Sequence, residues 1–169
     1  MNKKFFVILG MFMLFITNST FSQKAKLHTA FIYNFIMNVE WPASYKSGNF
    51  IIGVLGNCEI VNELKNMASK KKRGNQPIKI QVYNSINDIN NCHVLYVCAS
   101  KSGKLAEVSQ KLANKATLII SDTKDGTSKG AIINLLIIGG KQRFELSKKN
   151  AAAHNLKVSS TLQSLGILK

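Results

Sequence analysis

The stretch Ala30-Phe31-Ile32-Tyr33-Asn34-Phe35-Ile36-Met37-Asn38-Val39-Glu40-Trp41-Pro42 decides how this chain is read, because it marks where an apolar helix stops and the first strand can begin. Leu27, Phe31, Phe35 and Val39 recur at helical spacing, and Ala30, Ile32, Ile36 and Met37 widen the stripe, so the segment is expected to be buried. Pro42 disfavours helical geometry at Trp41, which ends the helix at about Glu40.

Upstream, residues 1–22 read as a secretory leader. Lys3 and Lys4 form a basic start, Phe5 to Ile16 an apolar run, and Thr20-Phe21-Ser22 a cleavage site before Gln23. The apolar run spans about 18 Å as a helix against a hydrocarbon core of about 30 Å, so export is favoured over anchoring. Removing the leader from 169 residues leaves 147, a single domain over 23–169 with one ordinary core. The mature protein is expected to be exported and soluble.

Downstream, strands and helices alternate. Phe50–Gly56, Ile78–Tyr83, His93–Cys98 and Thr117–Ser121 read as strands, with helices near Glu59–Lys71 and Lys104–Asn114 between them. Gly139-Gly140-Lys141 separates two β-rich runs and signals an antiparallel hairpin. A short helix at Lys148–His154 and a last one capped by Ser159 or Ser160 close the chain. The expected fold is α/β: a three-layer domain, mainly parallel, with an antiparallel C-terminal hairpin and helices on both faces.

Charge and cysteines narrow the function classes. The net charge of +15, or +13 without the leader's two lysines, often signals nucleic acid, but the leader and the scarcity of arginine (Arg73 and Arg143) argue against it. Lys70-Lys71-Lys72-Arg73 reads as a solvated helix end, with anionic lipid or an acidic partner as the alternative. Cys92 and Cys98 lie about 20 Å apart along one strand, beyond the roughly 7 Å that a disulfide spans. Parallel first and third strands as neighbours would bring Cys58 to Cys98 and leave Cys92 free; three unpaired thiols is the alternative.

No catalytic signature is present: no G-x-S-x-G, H-E-x-x-H, Walker loop or G-x-G-x-x-G. The turn Gly53–Cys58 lacks the third glycine of a phosphate-binding loop. His28, His93 and His154 lack metal-ligand spacing, so no metal and no cofactor is expected. Asp122 and Asp125 read as turn formers, although Asp122, like Gly56 and Cys98, falls at a strand's C-terminal end, where open α/β sheets bind ligands.

The order of these pieces resembles the YfiR-like family of periplasmic proteins. Lys26 through Pro42 matches the family opening, with Phe31, Tyr33, Asn34, Phe35, Glu40, Trp41 and Pro42 in place. Ile51–Gly56, Cys92–Val97, Thr117–Asp122, Arg143–Leu146 and Leu156–Ser160 follow in order. The resemblance implies a regulator without enzymatic activity that docks on the periplasmic portion of a membrane-bound sensor, in the best-understood members a diguanylate cyclase, and lowers cyclic-di-GMP output and biofilm formation. It also implies a tendency to dimerise and a redox-sensitive disulfide. Cys92 matches a family cysteine, but its expected partner falls at about Gly53, so Cys58 would have to substitute. A periplasmic small-ligand-binding protein using the strand ends near Gly56, Cys98 and Asp122 is the alternative function.

Overall fold

The computed structural model describes residues 18–169, and the expected leader lies outside the described residues as far as residue 17. Helix α1 (Asn18–Asn38) stops two residues before the expected end. Val39–Glu40 instead forms β1, which pairs antiparallel with β9 (Lys157–Val158). The buried face of α1 is also rotated from the expected stripe. Ala25, His28, Thr29, Ile32, Phe35 and Ile36 point inward, whereas Leu27 and Met37 are 45% and 54% exposed. That set follows the i, i+3, i+4, i+7 pattern once a histidine and a threonine are admitted to the apolar face.

The main sheet is built from β2 (Phe50–Leu55), β3 (Lys72–Arg73), β4 (Gln76–Tyr83), β5 (Val94–Val97), β6 (Leu118–Ser121), β7 (Ile133–Ile138), β8 (Lys141–Leu146) and β10 (Ile167–Leu168). Their spatial order is β10-β8-β7-β6-β5-β2-β4-β3. From β4 to β7 every neighbouring pair is parallel, and β7–β8 is the antiparallel hairpin. Gly139 and Gly140 turn it with φ of 57° and 71°, the left-handed geometry that a tight two-residue turn requires. The edge strands β3 and β10 went unread in the sequence, being only two residues long.

Strand alternation divides the interior into two cores. Ile52, Val54, Val94, Tyr96, Leu118 and Ile120 face α1 and α2 (Ile60–Lys70). Leu55, Leu95, Val97 and Ile119 face α3 (Leu105–Lys111) and the turn at Ile86–Asp88. Helix α4 (Lys148–Ala153) adds Ala151 to the first core, and α5 (Ser160–Leu165) adds Leu162, capped by the Ser159 hydroxyl. The three-layer α/β expectation holds.

Candidate functional site

The sheet register builds the site. Ile52, Val94 and Leu118 are paired across three parallel strands, and Val54, Tyr96 and Ile120 form the next row on the same face. Two residues further, just past the strand ends, the same alternation brings Gly56, Cys98 and Asp122 together. Helix α1 lies against this end. Lys24, Ala25 and His28 from α1, with Cys58, Ile60, Tyr96 and Asp122, line a cleft of about 280 Å3.

Cys58 and Cys98 are joined, with Cα atoms 6.1 Å apart, and the bridge borders this cleft. Gly56 supports it rather than lining it. Its φ is +97°, and a Cβ there would stand 3.2 Å from the Cys98 Cβ and 3.0 Å from the Lys101 side chain. Asp122 does line the cleft: its Oδ2 meets Lys24 Nζ at 2.8 Å, and its side chain is only 8% exposed. Asp125, with φ of 58° and an exposed side chain, serves the turn alone.

His28 and Tyr96 complete the polar lining. Tyr96 Oη lies 3.3 Å from His28 Nδ1, and His28 Nε2 lies 3.2 Å from Gln142 Oε1. Burial holds the His28 imidazole below the ordinary histidine range, opposed by the nearby Asp122 charge. Burial, and then the Asp122 charge, push the Tyr96 phenol above its ordinary range. The signal was available: a tyrosine inside a continuous apolar strand needs a partner for its hydroxyl.

The family-motif residues lie elsewhere. Phe31 and Phe35 pack edge-on against Phe144, with Phe35 and Phe144 centroids 5.0 Å apart. Trp41 is buried at the opposite end of the sheet, its Nε1 donating to His93 O at 3.2 Å. Pro42 opens the short turn Ala43–Tyr45, and Glu40 is exposed, 3.4 Å from Lys46 Nζ. Arg73 corrects the expected solvated basic run. Its guanidinium lies 4.8 Å from the Trp41 ring, while Nη2 donates to Val39 O at 3.1 Å. Tyr33 and Asn34 face a second groove between α1 and α2, about 400 Å3, with Lys26, Lys70 and Lys71 on its walls.

Cys92 is free and buried in the second core, its thiol pushed up to about 12 by burial. A Cβ at Gly53 would stand 3.4 Å from its sulfur, but also 2.7 Å from the Tyr83 ring. The position that the resemblance assigns to a partner cysteine therefore does face Cys92, and here the Tyr83 ring closes over it. The disulfide of this chain sits on the other face of the sheet.

Among the described residues no group of three or more His, Cys, Asp or Glu side chains is placed to hold a metal ion. None of the described helices is long and apolar enough to cross a membrane. No curated protein matches the chain. Residues 25–166 match the family described as DUF4154, YfiR/HmsC-like, which spans the domain from helix α1 to the end of α5. The chain belongs to the YfiR/HmsC-like family.

Proposed function

We propose that the protein is an exported, non-catalytic regulator that binds the extracytoplasmic portion of a membrane-bound sensor and modulates its signalling, with a diguanylate cyclase as the favoured partner. The observation that carries this reading is the family match over residues 25–166. Two features support it. The leader-like residues 1–22 would route the chain out of the cytosol, and the net charge of +13 left after their removal would steer it to an acidic sensor surface. The groove carrying Lys26, Lys70 and Lys71 beside Tyr33 offers charge and an aromatic anchor on one face.

Deleting the gene tests the reading in cells. Cyclic-di-GMP is expected to rise, and re-expression of the full chain to restore it. An unchanged level in the deletion strain would remove the cyclase as partner. A chain lacking residues 1–22 should fail to restore the level, because it would remain on the wrong side of the membrane.

A further inference from the structure

The donors and acceptors around the strand-end cleft form a chain whose direction is fixed as far as His28. Gln142 Nε2 donates to Leu136 O at 2.9 Å and to Arg143 O at 3.0 Å, which orients the amide and turns Oε1 toward His28. An amide oxygen only accepts, so His28 Nε2 carries the hydrogen and Nδ1 is bare. Tyr96 then donates either to Nδ1 or to the neighbouring Asp122 carboxylate, and in both cases its oxygen keeps a lone pair free to accept.

Asp122 adds a second acceptor. Lys24 occupies Oδ2, whereas Oδ1 is buried and has no hydrogen-bond partner among the described residues. Leaving a buried carboxylate oxygen unpaired costs free energy unless something arrives to fill it. Glu59 lines the same cleft and forms none of the salt bridges among the described residues. In a chain of net charge +15, this cleft sets two carboxylates against one half-exposed lysine. The remaining wall is apolar, from Ala25, Ile60, Ala99 and Cys58.

The geometry points to a binding site for a small organic cation, a primary amine on an apolar body. The ammonium donates to Asp122 Oδ1 and the Tyr96 oxygen while the body packs against Ile60 and the disulfide. The volume of about 280 Å3 suits it, since an apolar cavity of about 150 Å3 already holds benzene. This site is independent of the proposed docking on a membrane partner, and either can fail alone.

Calorimetric titration of the purified protein with benzylamine, benzyl alcohol and benzoate tests it without any membrane component. Benzylamine is expected to saturate, with benzyl alcohol weaker and benzoate not binding. Asp122→Asn should weaken benzylamine by about tenfold or more, as loss of a charge-assisted hydrogen bond does. Ala99→Trp, at an exposed position on the cleft wall, should abolish binding, and it decides the matter if Asp122→Asn does not melt cooperatively. Benzoate binding as tightly as benzylamine would overturn the proposal. So would benzylamine affinity that survives Ala99→Trp, or no saturation by about 50 mM, well past the millimolar affinity expected of such a fragment.

Discussion

The two ends of the same parallel strands treat their histidines differently. At the N-terminal end, Ile51 N–H donates to His93 Nδ1 at 3.0 Å and His93 Nε2 donates to Tyr45 O at 2.9 Å. The ring packs on Phe50 with centroids 4.3 Å apart, and the His93 backbone carbonyl accepts a hydrogen bond from Trp41 Nε1. At the C-terminal end the chain from Gln142 through His28 to Tyr96 stops beside a carboxylate oxygen with no partner among the described residues. One end uses its polar groups to lock backbone to core; the other keeps unfilled acceptors at a cleft. Buried polar groups stabilise a fold only when satisfied, so the first end should carry stability and the second binding capacity.

The largest expected effect is at the locked end. Trp41→Ala removes a fully buried ring, its edge contact with Phe50 at 5.1 Å and the platform under Arg73, and should cost about 4 kcal/mol. Urea unfolding measures it, and a loss under about 1 kcal/mol would break the comparison. Next comes the disulfide, which closes a sequence separation of 40 residues. Replacing Cys58 and Cys98 together by serine should cost about 3 kcal/mol, whereas Cys92→Ser should leave the reductant-sensitive mobility shift unchanged.

Acid should weaken both ends. Burial lowers the pKa of His28, His93 and His154 from 6.5, so below that pH the unfolded chain binds protons that the folded chain does not. Stability is therefore full above about pH 6.5 and falls as pH drops through it, by up to about 1.4 kcal/mol per pH unit for each histidine. Urea midpoints at pH 7.5, 6 and 5 check this, and a flat profile over that range would contradict it. The smallest effects belong to the open end. Asp122→Asn and Tyr96→Phe should each change stability by no more than about 1 kcal/mol, because Lys24 is half exposed and the Tyr96 bond is long. A loss matching that of Trp41→Ala would mean the cleft is structural.

Much of the fold was legible because periodicity reports burial directly. The parallel strands, the Gly139-Gly140 hairpin and the Cys58–Cys98 approach all follow from alternation and topology. The rotated face of α1 was not legible, since a hydropathy stripe scores Leu27 as core and His28 as surface, while packing against Tyr96 reverses both. Arg73 departs from the expected solvated run for the same reason: a charge run says nothing of the aromatic rings that one member covers. Of the site, Asp122 was visible from its place at a strand end. The contributions of His28, Tyr96 and Gln142 required long-range register, which links positions 68 and 114 residues apart.

In-cell crosslinking of the tagged full chain, with the adducts identified by mass spectrometry, tests whether the protein docks on a membrane-bound sensor. One dominant adduct is expected, to the extracytoplasmic portion of an inner-membrane signalling protein, formed by a chain that begins at Gln23 and weakened as salt rises. Adducts confined to cytosolic proteins, on a chain that still carries residues 1–22, would contradict it.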